Sequence, residues 1–116
     1  MDVVVTKESA LVLSVCYKIF RNRKKAGQDF DTAAHFEFFE DFEDRALSGL
    51  GQRDIMRCVD ELAKSGLMKS YSLDFSLTAL GIATVEKNSI GKDDVQRWIN
   101  TLLEATSTVV TLVLGV

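Results

Sequence analysis

The chain has 116 residues, 47% of them hydrophobic, which suits one ordinary domain and excludes disordered and collagen-like classes. It contains no proline, so nothing blocks helix hydrogen bonds and a helix-rich fold is favoured. The net charge of −3 argues mildly against an autonomous nucleic-acid binder, because phosphate contacts usually demand a basic surplus.

Residues 1–6 carry the run Val3-Val4-Val5, without the basic start and long apolar stretch of a signal peptide. Thr6 suits a helix N-cap, and Glu8 lies near the positive helix end. Leu11, Val12, Val15, Cys16, Ile19 and Phe20 then recur at helical spacing, which predicts an amphipathic, central helix over about residues 7–23. Arg21, Arg23, Lys24 and Lys25 follow, either as a solvated helix end that the dipole favours or as phosphate contacts.

A second helix is predicted over residues 33–47, capped by Asp31 or Thr32. Phe36, Phe38, Phe39 and Phe42 are spaced by three and four, which places them on a shared core face. Glu37, Glu40, Asp41, Glu43 and Asp44 lie between them as a soluble face or a partner surface. His35, the single histidine, reads as structural or exposed.

Residues 48–51 form a turn, and the most informative segment follows over residues 52–67. Ile55, Cys58, Val59 and Leu62 mark the buried stripe of a third helix. Gly66 stands where a helix end needs positive φ, and Leu67 can fold back onto the helix. Two short strands are predicted at residues 67–71 and 75–78, with a turn at 72–74; a hairpin this small must pack against helices to persist. Thr78 suits the cap of a helix over residues 79–87, and residues 88–91 break it. The last helix begins near Asp93 and aligns Val95, Trp98, Ile99, Leu102 and Leu103. Threonine and valine dominate residues 106–113, so a strand and an ordered tail are equally admissible there. Residues 105–116 are uncharged but too few to span a membrane, so no membrane partner is expected.

The fold class expected is mainly α with a small β-hairpin: a winged helix-turn-helix plus a C-terminal helix. It forms a single domain over residues 1–116, with a core over about 7–87 and a C-terminal helix and tail over 92–116. Residues 51–81 supply the second helix of the helix-turn-helix and the start of the wing.

Catalysis finds no machinery in these residues. The patterns G-x-x-x-x-G-K-[ST], H-E-x-x-H and G-x-S-x-G do not occur. Cys16 and Cys58 sit in apolar helical stretches as buried reduced thiols, and with one histidine they make neither a nucleophile pair nor a zinc set. The expectation is a non-enzymatic protein with no catalytic residue, cofactor or metal.

For double-stranded DNA the candidates are Gln52, Arg53, Arg57 and Lys64 on the third helix, because arginine and glutamine can read guanine and adenine edges. Lys69 in the wing, with Arg21, Arg23, Lys24 and Lys25, would reach phosphate. Against this stand Asp54, Asp60 and Glu61 on the same helix, seven carboxylates between Asp29 and Asp44, and a wing loop without lysine or arginine. A protein interface is expected from Trp98, Leu102, Val109, Val110 and Leu112, toward other subunits or a second copy of the chain.

The pattern Ile55…Val59…Leu62…Gly66-Leu67, followed by Leu77-Thr78-x-x-Gly81, resembles small bacterial regulators of the MarR and PadR kind. A second resemblance covers residues 10–104, which are similar to the C-terminal winged-helix domain of origin recognition complex initiators. It rests on Phe30…Phe36-x-x-Phe39-x-x-Phe42, on Leu50-Gly51-Gln52-Arg53-Asp54-Ile55 through Glu61-Leu62-x-x-x-Gly66-Leu67, and on Asp94-Val95-Gln96-Arg97-Trp98, similar to the closing helix of the complex's fourth subunit. The resemblance implies part of an ATPase assembly that marks replication origins, without the ATPase domain itself, and a nuclear location; a regulator would instead be cytoplasmic. Three readings therefore stand: a DNA-binding or subunit-docking initiator module, a small dimeric transcription regulator, and a winged helix that binds only protein.

Overall fold

The computed structural model describes residues 1–38, 42–91 and 93–116. In chain order the elements are β1 (Asp2–Thr6), α1 (Lys7–Lys25), α2 (Phe30–Ala33), β2 (His35–Glu37), a single 3-10 turn (Arg45–Leu47), α3 (Gln52–Lys64), β3 (Met68–Ser70), β4 (Asp74–Leu77), α4 (Ala79–Asn88), α5 (Val95–Glu104) and β5 (Val109–Val113). The architecture is mainly α with two small antiparallel sheets, ordered β1-β5 and β2-β4-β3.

Thr6 caps α1 as its spacing from Ser9 requires, its hydroxyl accepting the Ser9 N–H at 3.2 Å. Residues 9–17 of this helix are buried without interruption, so α1 is enclosed all round rather than amphipathic. α3, α5, α2, α4 and strands of both sheets pack around it. Tyr17, Phe36, Phe75, Leu13, Leu62 and Ile99 are among the fully buried side chains. Each contributes about 1.5–3 kcal/mol by leaving water, so this cluster carries the fold. Cys16 and Cys58 are both buried free thiols.

The long second helix expected over residues 33–47 does not form. Asp29, not Asp31 or Thr32, caps the start by accepting the Thr32 N–H at 2.8 Å, and α2 ends after one turn. The chain then extends into β2, where His35 and Glu37 face outward and Phe36 and Phe38 are buried. The aromatic spacing that decides is therefore two, not three or four, and aromatic rings favour the pleated surface. Phe36 stacks on Phe75 of β4 at 5.4 Å between centroids, a contact no helix could offer it. Phe39, Glu40 and Asp41 lie outside the described residues.

The remaining expectations fare better. α3 runs over the predicted stripe, and Gly66 behind it has φ 76°. The hairpin β3–β4 pairs Met68 with Leu77 and Ser70 with Phe75, and the Tyr71 N–H closes the turn onto the Asp74 carbonyl at 2.8 Å. Thr78 caps α4 through the Gly81 N–H at 3.0 Å and donates its hydroxyl to the Gly66 carbonyl at 2.6 Å. Gly81 is glycine for a steric reason, since a Cβ there would overlap the Leu67 carbonyl.

The C-terminal tail resolves as strand. β5 pairs with β1 from Asp2↔Val113 to Thr6↔Val109, joining the two ends of the chain over α1 and α4. Side chains cover much of the ribbon's outer edges. Asn88 pairs with both backbone groups of Val113 (2.8 and 3.1 Å), Ser107 bonds Val109, and Glu61 accepts the Thr6 N–H at 3.0 Å. Among the described residues no helix is long and apolar enough to cross a membrane.

Candidate nucleic-acid interface

α3 sits against α1, β1 and β3, and the burial of Ile55, Cys58, Val59 and Leu62 leaves its opposite side in solvent. Arg53, Met56, Arg57, Asp60 and Lys64 fall on that side at helical spacing, all exposed, with Gln52 at the start. Gln52, Arg53, Met56, Arg57 and Asp60 line one open surface groove of about 620 Å³. Lys69 is exposed on β3, where it pairs across the ladder with Ser76 and shares that sheet face with His35, apart from the α3 groove.

The acids on this helix are the surprise. Asp54 closes the helix start, its Oδ2 accepting the Gly51 N–H at 3.0 Å while Oδ1 takes Arg57 at 2.9 Å. Glu61 turns the other way, onto β1, where it accepts both the N–H and the hydroxyl of Thr6 at 3.0 Å. Burial alone would raise the Glu61 carboxyl, but hydrogen bonds from Ser9 and Thr6 outweigh it and hold it below the usual carboxylate range. Of the three acids, only Asp60 is left on the outward stripe, with a long 3.4 Å contact from the Ser70 hydroxyl. The Asp54–Arg57 pair is exposed, and pairs of this kind are worth about 0.3–0.5 kcal/mol, too little to withhold Arg57 from a phosphate. Arg53 has no ion-pair partner among the described residues.

The other basic candidates separate from this face. Arg23 donates to the His35 carbonyl at 2.6 Å and lies over the Phe36 ring at 4.6 Å, so it ties α1 to β2. Its guanidinium is engaged inside the molecule rather than held out on the α3 face. Arg21 is half-buried, 3.8 Å from Asp93. Lys24 and Lys25 are exposed at the end of α1. That end lies over α2 and β2, and β2 is the sheet edge remote from β3, roughly 10 Å away at two strand spacings.

The expected protein interface is mostly internal as well. Leu102 and Leu112 are buried in the protein's own core, Val110 is partly covered, and half-buried Trp98 donates its ring N–H to Ser14 at 3.1 Å. Val109 alone of that set is exposed, at 50%. The sequence reading missed Met56, which joins the arginines on α3, and Tyr71 and Leu73, which stand exposed at the hairpin tip. Helical spacing from Arg53 would have found Met56; the hairpin tip carries no periodic signal.

Compared with known proteins, the chain matches no family model, no curated protein and no solved structure.

Proposed function

We propose that this chain is a non-enzymatic winged-helix domain whose α3 enters the major groove of duplex DNA. The winged-helix reading is supported by element order: α1, β2, a short turn, α3, then the hairpin β3–β4, with β4 between its partners. The DNA reading is carried by the engagement of Asp54 and Glu61. With Glu61 turned onto β1 and Asp54 drawn to the helix cap, the outward stripe offers Arg53, Arg57 and Lys64 against Asp60, with Asp54 paired to Arg57 at its side. The similarity of residues 10–104 to origin recognition initiators makes a replication-initiator assembly, in the nucleus, the setting in which this face would work.

The test is fluorescence anisotropy on a labelled duplex of mixed sequence. Arg53→Ala and Arg57→Ala together should weaken binding by about 10–100-fold, as loss of two base or phosphate contacts does. Asp60→Asn should tighten binding on all sequences, because it removes a carboxylate from the outward stripe. Lys87→Ala on α4 should leave binding unchanged. Equal affinity of the double variant and the parent protein would refute the assignment.

A further inference from the structure

After α4 the chain turns through Ile90 and Gly91, and Ile90 takes φ 58°. A β-branched side chain is strained in that left-handed region, where glycine or asparagine fits better. Ile90 is also 88% exposed, so it gains no burial within its own chain. The backbone disfavours isoleucine here and the core does not use it. Ile90 does form one wall of a hollow of about 120 Å³, whose other walls include Asn88, Ser89, Trp98 and Thr101.

The uncharged polar groups of this hollow are already engaged. The Asn88 amide donates to the Thr84 and Val113 carbonyls at 2.7 and 2.8 Å. The Ser89 hydroxyl donates to the Val85 carbonyl at 2.7 Å, and the Thr101 hydroxyl to the Arg97 carbonyl at 3.0 Å. Trp98 is anchored through its ring N–H to Ser14 while part of its surface stays accessible. What remains on offer is hydrocarbon and ring. A cavity of about 150 Å³ takes one benzene, so this hollow suits one aliphatic side chain. Two charges complete the lining, one of each sign: Asp94 Oδ1 and Arg97 Nη2 lie 3.8 Å apart, and the Arg97 side chain is 82% exposed.

We infer that this face pairs with a second copy of the chain about a two-fold axis, with Ile90 of each copy seated on Trp98 of the other. The occupant follows from self-complementarity. A hollow that takes one aliphatic side chain carries such a side chain on its own wall, and a two-fold axis makes that contact twice. The same rotation sets each Arg97 against Asp94 of the partner subunit, so the mixed charges attract in both places. A nucleic acid or a peptide of one charge sign would meet a like charge here. The face is small, which places it among interfaces below about 1,200 Å² in total, with a dissociation constant of about 0.1–1 mM.

The test is sedimentation equilibrium of the full chain from about 0.02 to 2 mM, followed in parallel by the emission of Trp98, the single tryptophan. Mass should rise toward the dimer as the emission moves to the blue, because the ring loses water. Ile90→Asn should weaken association by about 10-fold or more. It should also raise the thermal midpoint of the dilute monomer, since asparagine accepts the left-handed backbone. An isoleucine serving only the fold would lower that midpoint when replaced. Asp94→Arg and Arg97→Asp should each weaken self-association by about 3–10-fold, while a mixture of the two variants associates as the parent does. Only the mixture sets opposite charges across both contacts, and no pairing within one chain can reproduce that. Asp94 makes no side-chain cap bond, so its replacement leaves α5 in place. A parent chain still monomeric at about 2 mM overturns the pairing and leaves the hollow to a segment of another protein. A dimer unchanged by Ile90→Asn, or a mixture no tighter than its components, overturns it as well. Neither Ile90 nor Trp98 belongs to α3, so this proposal and the DNA reading fail independently.

Discussion

α3 and the segment from Asp29 to Asp44 carry similar sequence signals, aromatic or aliphatic residues interleaved with acids, yet they fold in opposite ways. In α3 the helical spacing is the true period: Ile55, Cys58, Val59 and Leu62 are buried, and Asp54 and Glu61 are drawn into caps and cross-links. In the acidic segment the spacing of three and four among the phenylalanines is incidental. A spacing of two buries Phe36 on β2 and Phe38 just beyond it, and three described acids are left exposed. Where each carboxylate is drawn, rather than how many there are, therefore decides which face of the molecule carries its charge.

Substitutions sharpen this contrast. The largest effect belongs to Phe36, which is fully buried and stacked on Phe75; Phe36→Ala should cost about 3–5 kcal/mol in urea unfolding. Phe30→Ala, half-exposed on α2, should cost far less, and equal losses would mean the two phenylalanines share one helix face after all. Next is Gly81→Ala, where the new methyl meets the Leu67 carbonyl behind α3. Overpacking of this kind costs about 1–3 kcal/mol, read as a fall in the thermal midpoint.

Glu61→Gln has a smaller effect with a distinctive pH signature. Loss of charge-assisted bonds to Thr6 should cost about 1–2 kcal/mol at neutral pH, discounted because the group is only partly buried. The folded carboxyl lies below its ordinary value, so its stabilisation is complete above about pH 4.3 and disappears as pH falls through the folded value. Stability curves of parent and variant should converge in that acid window. A constant gap from pH 7 to pH 3 would show that Glu61 does not carry the link between α3 and β1.

Much of the order of elements was legible in the sequence. α1, α3 and α4 announce themselves through caps and stripes, and Thr78, Gly66 and Gly81 mark the junction of hairpin and helix because backbone groups meet there. β1 was not legible. Its Val3-Val4-Val5 run has no local pattern that names a partner, and the partner strand β5 is at the far end of the chain. β2 was lost because four phenylalanines fit two periods at once. Within the candidate interface, residue types were readable but their commitments were not: Arg23 looked like its basic neighbours until the His35 carbonyl claimed it.

The most direct measurement for the α3 surface is the salt dependence of duplex binding between 50 and 200 mM. Arg53, Arg57 and Lys64 acting on phosphate or base edges should give log K against log salt a slope of about −3, and Arg53→Ala with Arg57→Ala should make it shallower by about 2. A flat salt response, or a slope the double variant does not change, would contradict the placement of DNA on α3.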